Sequence, residues 1–260
     1  MMNFITKNKK NFLNKILIFT FWIFVWQIIY LIIQRDIYVP SPFNVFLRLT
    51  ELVFMSSFWK SIAFSMYRVF IGLLLSILLG IIFGIISSMN KYIYELILPI
   101  MTIIRSTPVL SFIIIALIWF SSSNVPIFIC FLMCFPIIWT NILTGIKNVD
   151  IKLLEMAGLY RVRRRRILKE IYIPSVMPYF TAACINCLGL GWKASVAAEV
   201  LSHPRYAIGS HLHSAKAYLD TNELFAWTMM VILLSLLFEN LFAQLIRRLT
   251  MGNIYKTGSS

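Results

Sequence analysis

A charged segment between two long apolar runs, Glu155–Pro178 with the sequence EMAGLYRVRRRRILKEIYIPSVMP, holds the residues best suited to contact a partner. Asp150 precedes the segment and can cap the N-terminus of a short helix. Glu155 lies in the first turns of that helix, where a negative charge suits the helix dipole. Pro174 and Pro178 are expected to end the segment and to start the next apolar helix, because proline is tolerated in a first turn. The pattern predicts a short docking helix that is polar on one face.

The arginines of this segment, Arg161 and Arg163–Arg166, have a second interpretation. A basic loop beside an apolar run can simply rest on anionic lipid, as juxtamembrane basic clusters do. Both interpretations stay open for the arginines. Glu155 and the prolines that follow it favour docking.

Another candidate site surrounds a charge inside the third apolar run. Arg105 lies next to Ser106, Thr107 and Pro108. The proline is expected to break or kink its helix and to free backbone groups that can line a cavity. Because a charge at the bilayer centre costs roughly 2.5–3.5 kcal/mol on insertion scales, such a residue points to a pathway for a solute. Arg105, Thr107 and Pro108 are therefore pathway candidates.

The fifth apolar run carries the matching candidates Trp192, Lys193 and Glu199. In the functional interpretation, Arg105 and Lys193 form an electropositive lining for an anion or a polarised solute. In the alternative, one of these cations pairs with Glu199 or Glu239, or its side chain snorkels to the membrane surface, and the charges are structural. Lys193 and Glu199 are six positions apart, which is a poor spacing for a bridge within one helix.

Sequence motifs for catalysis are missing. A phosphate-binding loop needs a Gly-rich stretch that ends in Gly-Lys-Ser/Thr, and the sequence has no Gly-Lys pair. It also lacks the Gly-x-Ser-x-Gly elbow of hydrolases. We therefore expect no catalytic residues, no cofactor in this chain and no enzymatic activity. The cysteine pairs at 130/134 and 184/187 are interpreted as packing residues and not as a metal site.

The composition indicates that these residues are positioned by membrane-spanning helices. Hydrophobic residues make up 60% of the 260 residues and charged residues 13%. Six apolar runs approach the length of about 20 residues that crosses about 30 Å of hydrocarbon as a helix. Period-2 alternation is absent, so helices must satisfy the backbone. The predicted spans are Ile16–Ile33, Val69–Met89, Leu96–Phe120, Val125–Ile146, Tyr179–Val200 and Leu224–Ile246.

The distribution of lysine and arginine predicts the orientation of these spans. Basic residues concentrate before the first span, in the charged segment and after the last span, and these regions share one side if six spans are present. By the positive-inside rule that side is cytoplasmic, so both termini are expected in the cytoplasm. The net charge of +14 then reflects topology and contact with anionic lipid, and nucleic acid is not an expected partner.

Glu155, Ala157 and the sequence Ile-Tyr-Ile-Pro at 171–174 resemble the EAA loop of ABC-importer permeases, in which the proline follows nineteen positions on. Met156 replaces the first alanine, and Arg161 stands where that family usually has glycine. Three further stretches, VPSPFNV, IRSTPVLSFIIIALIWF and GWKASVAAEV, are similar to permeases of the nitrate/sulfonate/bicarbonate/taurine branch.

The resemblance implies an all-α, MetI-like permease fold with six transmembrane helices and a cytoplasmic coupling helix. It implies one domain over residues 1–260, with a core at about 60–250, a cytoplasmic tail at 1–15 and the coupling insert at 148–173. The residues that would couple the chain to an ATPase are Glu155, Ala157, Gly158, Ile171 and Pro174.

The resemblance also implies partners and a location. The chain would be a homodimeric permease in the bacterial inner membrane, surrounded by lipid and driven by ATP-binding subunits that bind ATP and Mg²⁺. An extracytoplasmic binding protein would dock near His203, His211 and His213, for which a metal site is the alternative. The expected solute is a small anion or sulfonate. Import of a vitamin or vitamin precursor (a pyrimidine or a flavin) by the same fold stays open, as does a lipid-modifying membrane enzyme.

Overall fold

The computed structural model describes residues 2–257, with the side chains of residues 17–241 and 244. This part of the chain forms α-helices and one π-helical turn and contains no strand, which confirms the predicted all-α class. The helices are α1 (Met2–Ile33), α2 (Pro42–Val53), α3 (Ser56–Met89), α4 (Lys91–Ser106), α5 (Val109–Trp119), α6 (Val125–Lys147), α7 (Ile151–Leu159), α8 (Arg164–Ile167), α9 (Ile173–Ser202), α10 (Ile208–Ala217) and α11 (Thr221–Thr257), and the π-helical turn is Leu168–Tyr172.

The third predicted span is broken at the expected place. α4 and α5 differ in direction by 107° across the two residues Thr107 and Pro108. Thr107 is extended, with ψ 135°, since the residue before a proline is disfavoured in the helical region. Pro108 lacks an N–H and so cannot continue the hydrogen-bond pattern of α4. The prediction that Pro108 breaks its helix is confirmed, and Leu96–Phe120 is not one straight helix.

Four helical segments of the described chain are long and apolar enough to cross a membrane, or five if the bent α4–α5 pair is one span. The four are Ser56–Met89, Val125–Lys147, Arg164–Ser202 and Thr221–Leu241. The first predicted span corresponds to a shorter apolar helix, Leu17–Ile33. The count of six spans therefore stays a prediction. The predicted tail at 1–15 and the residues after Leu241, except 244, lie outside the described side chains.

Contacts within the chain divide it into two compact units. One consists of the residues up to Trp59 together with His211–Met230. In it, Arg48 of α2 forms ion pairs at 2.8 Å with Glu51 and with Glu223 of α11. These two carboxylates raise the pKa of Arg48, first through the hydrogen bond that the Arg48 guanidinium donates to Glu223. The ion pairs fix α2 against the first turn of α11.

The other unit consists of Lys60–Ser210 together with the residues from Val231 onward. α6 packs against α3 through small residues on α3. A Cβ atom added at Gly80 would lie 2.6 Å from Ile138, and one added at Gly84 would lie 2.8 Å from Ile142. The GxxxG-like pair therefore brings two helices closer than any larger residue allows, as in other membrane helix pairs. Close packing of α3 against α6 is therefore the role of these glycines.

Candidate functional site

The charged segment begins with the helix that the sequence predicts. Asp150 caps α7, and its carboxylate accepts a hydrogen bond from the N–H of Lys152 at 2.9 Å. Glu155 is exposed in the middle of α7, whereas Ala157 is buried with 5% of its surface accessible. A Cβ atom at Gly158 would meet no atom within 4 Å. α7 thus buries one small residue against the protein and leaves its acidic residue available.

The end of α7 explains the unusual arginine at position 161. The N–H of Val162 donates to the carbonyl of Ala157 at 2.9 Å, and that of Arg161 donates to the carbonyl of Gly158 at 3.1 Å. This is a Schellman motif, in which the residue at the position of Arg161 must be left-handed. Arg161 has a φ of 49°. Glycine adopts this conformation without strain, whereas an arginine does not.

The remainder of the segment is continuous with the following span. α8, the π-helical turn and α9 form one helical stretch from Arg164 to Ser202. Pro174 lies in the first turn of α9, as expected from the sequence, and Pro178 lies further inside α9, but the helical structure does not stop before them. Pro174 offers no N–H to the carbonyl of Glu170, and its ring would clash there in a regular α-helix. The π-helical turn immediately before it accommodates this loss without ending the helix.

Arg105 is held at the end of α4, next to the break. Its guanidinium donates to the carbonyl of Pro136 on α6 at 2.6 Å and also contacts the hydroxyl of Thr140. The side chain is otherwise exposed, and a cation at a helix C-terminus is favourable for the helix dipole. The hydroxyl of Thr107 donates back to the carbonyl of Ile103 at 2.8 Å. The arginine thus joins the broken helix to α6 through backbone and hydroxyl oxygens.

Trp192 and Lys193 occupy different faces of α9. Lys193 is exposed, whereas Trp192 is 2% exposed and packs against Phe238 with ring centroids 5.5 Å apart. Trp192 lines a cavity of about 90 Å³ between α3, α9 and α11, and its Nε1–H has no protein partner. The two neighbours therefore lie on different surfaces of α9.

Glu199 is fully buried, and its partner is Arg68. The guanidinium of Arg68 donates to the Glu199 carboxylate at 3.0 Å and to the carbonyl of Tyr206 at 2.9 Å. The carboxylate also accepts from the hydroxyl of Ser65 at 2.8 Å and from the N–H of Gly209 at 3.1 Å. The sequence left open whether Glu199 pairs with Lys193 or Arg105. In the structure it pairs with Arg68 instead.

This cluster of Ser65, Arg68, Glu199 and Gly209, here called the Arg68–Glu199 cluster, joins three elements of one unit. Ser65 and Arg68 lie one turn apart on α3, Glu199 lies in the last turn of α9, and Gly209 lies in the first turn of α10. Each carboxylate oxygen receives a donor, as a buried charge requires. Arg68 is not among the site residues predicted from the sequence, because it lies just before the second predicted span. The available signal was Arg68 at the start of that span and Glu199 at the end of the fifth, which the predicted topology places on the same side of the membrane.

The three histidines differ in their burial and in their neighbours. His203 is exposed at the left-handed end of α9, with φ 48°, and His213 is exposed on α10. His211 is half-buried and stacks on Trp227 with ring centroids 4.5 Å apart. Burial lowers the pKa of His211, and the charge of Glu223 opposes this shift. Within the described residues, no group of three or more His, Cys, Asp or Glu side chains could hold a metal ion.

The four cysteines pack where α6 meets α9. All four are buried free thiols. The thiol of Cys134 lies 3.3 Å from the carbonyl oxygen of Cys187. The thiol of Cys187 lies 3.5 Å from the carbonyl oxygen of Cys134. This reciprocal contact is the packing role expected from the sequence.

Comparison with known proteins identifies relatives that match most of this chain. The sequence profile of the family described as "binding-protein-dependent transport system inner membrane component" matches residues 76–251. An aliphatic sulfonates transport permease protein of Bacillus subtilis is 24% identical over 78% of this chain and 74% of that protein. A nitrate import permease of Synechococcus elongatus is 29% identical over 74% of this chain and 72% of that protein. The taurine transport system permease of Escherichia coli is 26% identical over 86% of this chain and 84% of that protein.

Solved structures share the fold at low sequence identity. A chain of the inward-facing MetNI methionine ABC transporter has a TM-score of 0.56 at 15% identity, and 73% of this chain and 92% of that one are covered. A chain of an amino acid ABC transporter solved with histidines has a TM-score of 0.61 at 15% identity, and 79% of this chain and 96% of that one are covered. These likenesses support the predicted MetI-like fold.

Proposed function

This chain belongs to the family of binding-protein-dependent transport system inner membrane components, and we propose that it is the permease subunit of an ABC importer for a small anion. The observation that carries the proposal is the continuous helical stretch Arg164–Ser202, which follows the capped and exposed α7. A docking helix followed by an unbroken span suits the transmission of force from a partner into the membrane.

The partners follow from this assignment. ATP-binding subunits would hold ATP and Mg²⁺ and dock on α7 through Glu155, with Ala157, Gly158, Ile171 and Pro174 shaping the contact. A solute-binding protein would dock on the opposite side of the bacterial inner membrane, where the exposed His203 and His213 are better placed than the half-buried His211. A second copy of the chain would complete the pathway. Both termini would be cytoplasmic.

The mechanism that we propose transmits closure of the ATPases through α9. A push on α7 would pass through the turn at Arg161 into α8 and along the helix that carries Lys193. At the far end of α9, the Arg68–Glu199 cluster ties this helix to α3 and to the start of α10. α9 and α3 would therefore move together when the permease alternates between its outward-facing and inward-facing states.

The solute class is supported by the relatives and by the two cations. The relatives reported above carry names for aliphatic sulfonates, nitrate and taurine. Arg105 and Lys193 are both exposed on helices of the same compact unit, as residues that meet an anion must be. We propose a small anion or sulfonate as the solute. These relatives are named as transport proteins and lend no support to a lipid-modifying enzyme.

Charge reversal at Glu155 tests the assignment. In the complex reconstituted with its ATPase and binding protein, Glu155→Lys should abolish solute-stimulated ATP hydrolysis and weaken co-purification of the ATPase, because a repulsive charge would lie in the contact. Glu95→Lys is the matched control, since Glu95 is also an exposed helical glutamate. Normal stimulation in Glu155→Lys, at matched amounts of permease in the membrane, would refute the coupling role.

A further inference from the structure

We propose that the chain binds one anionic phospholipid in a groove beside the arginine run. The groove has a volume of about 930 Å³ and lies between the C-terminal ends of α3 and α6 and the helical stretch that begins at Arg164. Ser88 and Met89 mark the end of α3, and Ile146 marks the end of α6. We call it the basic groove. Its position on the cytoplasmic side rests on the orientation proposed above.

The lining of the basic groove suits an acyl chain. Apart from Ser88, Arg164 and Tyr172, the side chains that line it are aliphatic, thioether or phenyl groups, including Ile85, Met177 and Phe180. The volume lies in the range of roughly 300–1,000 Å³ that is typical of ligand pockets. An apolar groove of this size near the end of the spans would face either water or hydrocarbon, and burial of methylene groups favours hydrocarbon.

The charge at the basic groove suits a phosphate. Arg164 is the one charged residue among those that line it, and Arg163, Arg165 and Arg166 adjoin it in sequence. Arg166 donates to Glu170 at 2.8 Å, so that this one arginine of the run is neutralised by a neighbour. Basic pockets between transmembrane helices on the cytoplasmic side are a recognised environment for anionic headgroups, and arginine forms two parallel hydrogen bonds with a phosphate.

The π-helical turn forms part of the same groove. Leu168 and Tyr172, its first and last residues, both line the groove, as does Ile173 at the start of α9. A lipid in the groove would thus touch the only π-helical part of the described chain, the point at which the proposed force enters α9. We infer that the occupant stabilises this joint between the docking helix and the span.

The experiment compares two spin-labelled lipids bound to the permease–ATPase complex in vesicles of phosphatidylcholine with 30% phosphatidylglycerol. The immobilised fraction of labelled phosphatidylglycerol is compared with that of labelled phosphatidylcholine. We expect the native complex to prefer phosphatidylglycerol. Arg164→Gln should lower this preference at least two-fold, whereas Arg165→Gln, the same charge change at a neighbour that does not line the groove, should leave most of it.

A second variant separates the groove from diffuse surface charge. Met177→Trp fills the groove and should reduce the number of immobilised lipids of both kinds. Equal effects of Arg164→Gln and Arg165→Gln, or no effect of either, would overturn the proposal. Separation of the permease copies by Met177→Trp, with lipid binding unchanged, would also overturn it, because the groove would then hold a second copy. Solute-stimulated ATP hydrolysis in the same vesicles reports on the importer function independently of these lipid measurements.

Discussion

Among the contacts between single residues, the buried ion pair of Arg68 and Glu199 is the one that joins α3 to α9 and to the start of α10. The two side chains are 6% and 0% exposed, so each charge relies on the other for its compensation. Removal of one partner of a buried pair costs about 3–5 kcal/mol, whereas replacement of both by apolar groups costs much less. The pair also fixes where α9 and α10 meet α3.

This asymmetry gives a testable result. Glu199→Met and Arg68→Met should each lower the thermal stability of the purified complex strongly, and the double variant should recover part of the loss. Unfolding temperatures of the two single variants and the double variant form the required cycle. Arg205→Met, a change at an exposed arginine nearby, is the control and should have little effect. Additive losses in the double variant would mean that the two charges do not stabilise each other.

Arg161 is a residue whose backbone conformation matters more than its side chain. A left-handed conformation costs a non-glycine residue roughly 1–2 kcal/mol. Arg161→Gly should therefore slow hydrogen exchange at the end of α7, and Arg161→Val should accelerate it, because β-branched residues tolerate this conformation poorly. Arg161→Lys retains the charge and the strain and should behave like the native chain. If Arg161→Gly accelerates exchange, the strain is not what limits this turn.

Among the helices, the close approach of α3 to α6 requires a glycine at position 80, whereas the packing of α7 does not require one at position 158. A Cβ at Gly80 would lie 2.6 Å from Ile138, whereas one at Gly158 would meet nothing within 4 Å. Gly80→Ala should therefore destabilise the complex by about 1–3 kcal/mol through overpacking. Gly158→Ala should leave it unchanged or stabilise α7 by up to about 1 kcal/mol. Denaturation of both variants by heat checks the contrast, and equal effects would contradict the packing role of Gly80.

The elements also define what could be predicted from the sequence. The cap at Asp150 and the break at Pro108 follow from local chemistry, and the sequence predicts both correctly. The continuity of the fifth span with the segment before it does not, because a π-helical turn lets the helical structure run on through the residues before Pro174. The partner of Glu199 is 131 residues away, and no local pattern distinguishes Arg68 from the other cations. Nothing in the sequence separates the buried face of Trp192 from the exposed face of Lys193.

At the scale of the whole molecule, the side of the membrane on which the charged segment lies determines the mechanism. The four native cysteines are buried, so new surface thiols can be labelled over a low background. A cysteine at the exposed Lys152 on α7 should be protected from an impermeant maleimide in intact cells and react after permeabilisation. A cysteine at the exposed Lys216 on α10 should react in intact cells. The reverse pattern would place α7 outside and exclude its docking to an ATPase.

The other property of the whole molecule is the charge of the solute that it moves. Lys193 is exposed on α9, the helix that we propose to move, and its charge lies inside a segment long enough to cross the membrane. Such a charge needs water, a partner or a solute to compensate it. Because the structure gives the Glu199 carboxylate to Arg68, the lysine is not needed to balance that residue. An anionic solute would then lose part of its interaction energy when the lysine is removed.

We therefore expect Lys193→Met to raise the KM for uptake of an anionic solute several-fold while the unfolding temperature stays near that of the native complex. Lys91→Met, at an exposed lysine 3.7 Å from Glu95, is the matched control and should leave the KM unchanged. Uptake should be measured with the binding protein at saturation and at equal amounts of permease, so that a change reports on translocation. An unchanged KM in Lys193→Met, together with normal uptake, would remove this lysine from the pathway and leave Arg105 as its remaining cationic candidate.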